Sequence, residues 1–306
     1  MVEEKIKIIL DTDNGDDIDD LFTVYIMLNS NKFDVVGIIC SYLNTPLRVK
    51  QIKHVLKLKG REDIPVFAGC GSPIKGLHDR PCNTIYWQYS DVLNNYKCDE
   101  KYDGKAAVDF LISSAKKYQG ELHIVEVAPE TTLAKAIKKD KAAFKKSKIF
   151  IMGGAFLNEQ SEWNIECDVE AARIVLESGL DVSYCGLDVT RATIMTDQAF
   201  DNFTRLKGDN YLNYLIEATR LWHERANRNP TLHDPLTLLS TIEDVVSFKS
   251  DYMKLVEHPE KPRTSFVSSD GSGEGYHLVK YAYSIDVQKT NNLIFGLLGV
   301  KDKVLS

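Results

Sequence analysis

The chain of 306 residues has no long hydrophobic run. Its strongly apolar stretches, such as 293–300, reach about eight residues, whereas a membrane-spanning helix needs roughly 20. A membrane is therefore not an expected partner. Basic charge is not in excess either: 38 Lys and Arg stand against 44 Asp and Glu, a formal net charge of −6. Without a broad cationic face to displace counterions, the chain is not expected to bind a nucleic-acid polymer. Glycine and proline are sparse, at 18 and 9 residues, which excludes a collagen-like or low-complexity chain. None of the six cysteines, Cys40, Cys70, Cys82, Cys98, Cys167 and Cys185, forms a CxxC pair, and no spacing fits a zinc site. Reduced, mostly buried thiols in a cytoplasmic protein are the expectation. Residues 1–5 lack the basic-then-apolar profile of a signal peptide, which points the same way.

What is present is alternation. Short apolar runs at 5–10, 34–40, 64–68, 122–128, 148–152 and 182–185 read as strands. Amphipathic stretches at 19–28, 46–58, 105–118, 131–139 and 169–177 read as helices between them. Such a pattern predicts an α/β fold, an open and mostly parallel sheet flanked by helices. Residues 197–244 read as a mainly helical excursion, 252–286 as strands or a hairpin with a glycine-rich turn at 271–275, and 288–298 as a closing helix. No repeat or linker interrupts the run, so residues 1–306 are expected to form a single domain. Residues 76–95 read as a long irregular loop, of the kind that often borders a site.

The densest chemistry follows the first strand. Asp11-Thr12-Asp13-Asn14-Gly15-Asp16-Asp17-Ile18-Asp19-Asp20 carries six carboxylates in ten residues. In open α/β sheets, ligands bind at the carboxyl ends of the strands. Carboxylates packed this tightly repel one another unless a cation sits among them, and oxygen-only ligands select a hard ion, Ca²⁺ or Mg²⁺. The plainer reading is a solvated acidic turn that caps the next helix. An EF-hand is excluded, because its sixth and twelfth positions counted from Asp11 hold Asp16 and Phe22 instead of Gly and Glu. A haloacid-dehalogenase-type Mg²⁺ phosphatase also places Asp-x-Asp after its first strand. It stays open as an alternative, with Asp11 as nucleophile, although Gly15 stands where Thr or Val is wanted.

Two further segments carry polar chemistry. His233-Asp234-Pro235 offers a carboxylate and a proton-transfer group ahead of a helical run. Met152-Gly153-Gly154 places two glycines directly after a strand, where a ligand can approach the backbone closely. Asn158, Glu162 and Asn164 follow, side chains suited to holding hydroxyl groups.

Taken in order, five features resemble the inosine-uridine-type nucleoside hydrolase family. They are the Asp-Thr-Asp cluster, Asn44 with Leu47-Arg48, Pro129-Glu130-Thr131, the stretch from Met152-Gly153-Gly154 through Asn164 to Asp168, and His233-Asp234-Pro235. The resemblance implies hydrolysis of the N-glycosidic bond of ribonucleosides with bound Ca²⁺, which holds the catalytic water and the ribose 2′- and 3′-hydroxyls. By it, Asp13 is a calcium ligand and the general base, and Asp20 a bidentate ligand. Thr131 contributes its carbonyl and Asp234 its carboxylate to the ion. Asp19, Asn44, Met152, Asn158, Glu162 and Asn164 line the ribose, and His233 assists departure of the base. A homo-oligomer is also implied.

The chain departs from the family pattern in three places. Two extra residues lengthen the acidic turn, so either Asp16-Asp17 or Asp19-Asp20 could fill its last pair. Asp19-Asp20 is preferred because Leu21 and the helix follow directly, which leaves Asp17 as a loop residue near the metal. Leu43 replaces the usual Gly before Asn44, and the loop between Met152 and Glu162 is two residues short. The base pocket is less defined, with Tyr86, Trp87, Trp163, Trp222, His223 and His78 as its candidates. A non-catalytic nucleoside- or ribose-binding relative is a further alternative, although Asp13 and His233 are both in place.

Overall fold

The computed structural model describes residues 4–76, 104–158, 160–257, 263–266 and 273–300. At its centre lies strand β1 (Ile6–Thr12), paired in parallel with β2 (Phe33–Cys40) on one side and β4 (Leu122–Glu126) on the other. β3 (Val66–Ala68) extends the sheet beyond β2, while β5 (Lys148–Met152) and β6 (Val182–Cys185) extend it beyond β4, all parallel. The helices α1 (Asp19–Asn29), α2 (Thr45–Lys59), α3 (Lys105–Lys117) and α4 (Thr131–Asp140) connect these strands. This is the α/β architecture expected from the alternation.

The strand order β3-β2-β1-β4-β5-β6 reverses its direction of growth between β1 and β4. Loops leaving the carboxyl ends of those two strands must diverge to opposite sides, and the crevice between them is where such sheets bind ligands. The acidic turn leaves β1 at that point.

The interior strands are buried on both faces, which is why they read as unbroken apolar runs. Ile8 and Leu10 of β1 point into one core with Phe22, Tyr25 and Leu236, whereas Ile9 points into the other with Leu111, Leu133 and Ile151. Each of these side chains is fully buried.

Several boundaries differ from the sequence expectation. β1 runs two residues further, through Asp11 and Thr12, because both still pair with β2. The region after β6 holds α7 (Leu187–Thr190), α8 (Asp197–Thr204), α9 (Asn210–Ala226) and α10 (His233–Leu239), preceded by α5 (Trp163–Cys167) and α6 (Val169–Leu176) before β6. The excursion is interrupted by an antiparallel bridge between Ile194 and Thr231. The next strand, β7 (Val246–Val256), begins earlier than expected and pairs antiparallel with both β8 (Arg263–Phe266) and β9 (His277–Ile285). β9 joins the parallel sheet beside β6, giving nine strands among the described residues, and α11 (Val287–Leu297) follows it. Of the expected glycine-rich turn, Gly273 to Gly275 are described, with Gly275 left-handed at φ +81°. The irregular loop at 76–95 lies outside the described residues apart from Gly76.

Candidate active site

α2 shows how a local sequence signal builds the site's rim. Asn44 caps the helix by accepting a hydrogen bond from the Leu47 N–H, with Pro46 in the first turn. To deliver Asn44 there, Tyr42 and Leu43 both adopt left-handed backbone, φ +69° and +55°. Non-glycine residues rarely do so. Their N–H groups donate to the Cys70 and Gly71 carbonyls, which holds the conformation. Leu43 thus takes the backbone shape that a glycine would take with less strain.

The acidic turn is folded around Arg48, a fully buried arginine on α2. Its guanidinium donates to the carbonyls of Asp13, Asn14 and Tyr42 and to the Asp16 carboxylate at 2.8 Å. The Asn14 amide donates to Arg48 O and Gln51 Oε1. These bonds commit Asp16 to the Arg48 side of the turn. Asp20 is drawn the other way: its Oδ1 accepts from Thr12 Oγ1 at 2.5 Å and from the Asp13 N–H at 3.1 Å. The first turn of α1 is therefore laid back onto the end of β1.

That arrangement brings Asp19 and Asp20 to Asp234, at the start of α10. One carboxylate oxygen from each lies within 4.8 Å of the other two, and all three residues are buried. Burial and mutual repulsion push all three carboxyls well above the usual carboxylate range. Acids so disposed are stabilised by a cation, and an all-oxygen donor set suits a hard one such as Ca²⁺ or Mg²⁺. Between the two possible pairs, the structure groups Asp19-Asp20 with Asp234. Asp13 is close enough for its charge to raise all three, and it lines the same cavity.

The cavity has a volume of about 460 Å³, ample for a nucleoside-sized ligand. The acids form its floor, with Met152, Glu162, Asn164 and Val127 as one wall and Trp222, Arg228 and His233 as another. Glu162 accepts hydrogen bonds from the N–H groups of Gly154, Asn164 and Ile165, capping α5, yet burial still raises it to about 7. Asn164 spends its amide hydrogens on the carbonyls of Val127 and Met152, tying β4 to β5 across the cavity wall. His233 Nδ1 pairs with Thr190 Oγ1 at 2.8 Å; burial and the charges of Arg228 and Arg191 hold the imidazole down near 4.

Of the other expected site residues, Trp163 lines the cavity, and several of the rest make bonds of their own. Thr131 donates its hydroxyl to Asp168 at 2.7 Å and is not among the described residues lining the cavity. Asn44 spends its oxygen on the α2 cap, and Asn158 is exposed beside Asp188. His223 stacks on Phe200 at 4.1 Å, with its Nδ1 on the Arg228 carbonyl, outside the cavity lining. Asp17 lines the cavity and pairs with Arg228 at 3.0 Å. His78, Tyr86 and Trp87 lie outside the described residues. Arg228 and Leu187 line the cavity without having been expected there. No local motif marks either: Leu187 arrives just past the end of β6, with its N–H on the Gly154 carbonyl, and Arg228 with the return of the chain toward His233. Asp11, the nucleophile of the phosphatase alternative, is fully buried and does not line the cavity, so that reading has no attacking group.

An acidic, cation-competent pocket at the switch point of a parallel sheet is built to grip a polar small molecule. Over residues 8–293 the chain matches the inosine-uridine preferring nucleoside hydrolase family, and it belongs to that family. It is accordingly a hydrolase acting on N-glycosyl compounds, which sets the non-catalytic alternative aside. It is 34% identical over 255 residues to a probable uridine nucleosidase 2 of Arabidopsis thaliana, covering 78% of each chain. Among solved structures, a plant nucleoside hydrolase superposes with a TM-score of 0.81 at 28% identity, covering 96% of this chain and 99% of that one. A purine-preferring ribonucleoside hydrolase from Gardnerella vaginalis gives 0.80 at 26% identity, covering 95% and 98%.

Proposed function

We propose that this chain is a Ca²⁺-dependent ribonucleoside hydrolase that releases free base and ribose. The observation that carries the reading is the meeting of Asp19, Asp20 and Asp234 on the floor of a nucleoside-sized cavity. Asp20 and Asp234 hold the cation, with Asp13 and the Thr131 carbonyl completing the set, and Asp19 serves a ribose hydroxyl. Ca²⁺ bound there supplies Lewis acidity toward the attacking water and a grip on the sugar diol.

The chain's own groups do the rest. Asp13 Oδ takes a proton from the attacking water, a role worth about 10²–10⁴-fold. Cleavage develops positive charge on the sugar, as in other glycoside cleavage, and the carboxylates beneath it favour that charge. Glu162 and Asn164, fixed by backbone bonds, receive the hydroxyls, and Met152 packs beside the ring. Asn44, whose oxygen caps α2, and Asn158, beside Asp188, serve the ribose in this reading. His233, anchored on Thr190, keeps Nε2 for the leaving base. The reading also includes a single-domain, cytoplasmic homo-oligomer, checked by sedimentation and fractionation. Among the described residues, no helix is long and apolar enough to cross a membrane.

The direct test is a reducing-sugar assay over a panel of nucleosides, with and without chelator. Chelator-sensitive ribose release from at least one unphosphorylated nucleoside is expected. Release that persists without divalent cations would overturn the metal assignment, and no release from any would overturn the reading.

A further inference from the structure

We propose that Arg228 is a catalytic residue of this pocket, its guanidinium receiving the negative charge that develops on the departing base. The proposal rests on the nucleoside-hydrolase reading above. Its first support is the distribution of charge. The floor acids Asp19, Asp20 and Asp234 are 3–4% exposed, while Trp163 is 45% exposed and the Arg228 side chain 52% exposed at the mouth. A sugar held on the floor leaves its base toward that mouth. Among the described residues lining the cavity, Arg228 is the one permanently cationic side chain.

The second support is how firmly the guanidinium is placed. Asp17 Oδ2 accepts from it at 3.0 Å, across 211 residues of sequence. It also sits 4.9 Å from the ring centroid of Trp222, which is fully buried and so cannot drift. An exposed ion pair of this kind contributes little to stability, typically under about 1 kcal/mol. The pairing is thus not needed to hold the fold together; with the Trp222 contact it favours one placement of the charged fork. Asp17 is the positioning residue.

The chemistry calls for such a group. The C1′–N bond breaks with its electron pair passing to the base nitrogen. The water oxygen bonds to C1′, one water proton goes to Asp13, and the base anion takes a proton from His233 Nε2, which solvent then replaces. On a uracil ring the charge spreads from the departing nitrogen to the ring carbonyl oxygens, and a guanidinium N–H can donate to such an oxygen with charge assistance. A preorganised donor aimed at developing charge is worth about 10²–10³-fold in rate.

The test compares Arg228→Met and Arg228→Lys on uridine and on p-nitrophenyl β-D-ribofuranoside, whose phenolate departs with little help. Arg228→Met should lower kcat on uridine by about 10²-fold and on the nitrophenyl riboside by less than about tenfold. Arg228→Lys should recover part of the uridine rate, and the thermal midpoint should not move. Equal losses on both substrates, or none on uridine, would overturn the role of Arg228 while leaving the hydrolase reading intact. A wild-type protein that releases ribose from neither of these ribosides nor from any nucleoside of the panel would overturn both.

Discussion

The backbone N–H of Asp234 donates to the Asp19 carboxylate at 3.3 Å, joining positions 215 residues apart. This bond docks the start of α10 against the start of α1, so two acidic first turns share one locus. Neither turn could assemble the site alone. Asp19 and Asp20 need β1 to end beside β4, and Asp234 needs the chain to return over the sheet after α9.

Cation binding and pH are linked here, with a definite sign. Burial raises Asp19, Asp20 and Asp234, and lifts Glu162 to about 7 and Glu130 to about 8. Unfolded carboxyls titrate near pH 4. Between about pH 4 and pH 8 the folded, cation-free protein therefore binds more protons than the unfolded chain, and its stability falls as pH rises. A divalent cation binds the deprotonated folded form and opposes that loss, by about 2.7 kcal/mol at a hundred times its dissociation constant. In calorimetry with chelator, Tm should decline from about pH 5 to about pH 8, and added Ca²⁺ should raise it most at the alkaline end. A Tm at about pH 8 indifferent to Ca²⁺ and Mg²⁺ would contradict a common ion for these acids.

Asp13→Asn keeps the size of the side chain and removes its charge. The carbonyl of Asp13 stays on Arg48 and its N–H on Asp20, so the turn should keep its shape. The expected outcome is a loss of at least about 10²-fold in kcat with a KM change of only a few-fold. Steady-state kinetics on the best nucleoside reads this directly, and near-normal turnover would move the base to another residue.

Much of this architecture is legible in the sequence, for reasons visible in particular residues. Strands such as β5 are buried on both faces, so their apolar runs stand out between amphipathic helices. The acidic turn announces itself by density of charge, whereas His233-Asp234 gains its meaning only from its place in the order of motifs. What is not legible depends on three-dimensional return. Arg228 looks like any surface arginine until Trp222 and Asp17 fix it. Asn44 and Asn158 look like sugar ligands, yet one caps α2 and the other leans on Asp188. Leu43 looks like an obstacle to the Asn44 turn, and backbone bonds to Gly71 and Cys70 let the chain take the left-handed shape regardless. β7 begins early because its pairing with β9, not its own hydropathy, sets its start.

Hydroxyl recognition yields a substrate prediction. Glu162 and Asn164 are buried and already oriented by backbone bonds, so a sugar lacking the 2′-hydroxyl would leave a prepared polar group without its partner. Such a loss costs about 1–3 kcal/mol, or roughly 5- to 150-fold. Uridine should exceed 2′-deoxyuridine in kcat/KM by a factor in that range. Glu162→Gln should narrow the ratio, since one carboxylate oxygen is exchanged for an amide donor. A ratio near one in the wild type would remove the diol from the recognition scheme.

The final prediction concerns what holds the acidic turn in shape. Arg48 is fully buried and is the shared donor for three backbone carbonyls and the Asp16 carboxylate. Arg48→Met fills similar volume but strands those acceptors inside the protein. Removing one partner of a buried ion pair costs about 3–5 kcal/mol, and partial exposure of Asp16 places the loss toward the lower figure. Urea unfolding should show a lowered midpoint with an unchanged slope. The turn should also loosen before the rest of the sheet, because the strands below keep their own ladder. Hydrogen exchange should therefore rise first at the Asp13 and Asn14 amides, with those of Ile9 and Leu10 still protected. Uniform loss of protection across β1 would mean that Arg48 supports the whole strand, and a variant as stable as wild type would mean that the turn holds itself.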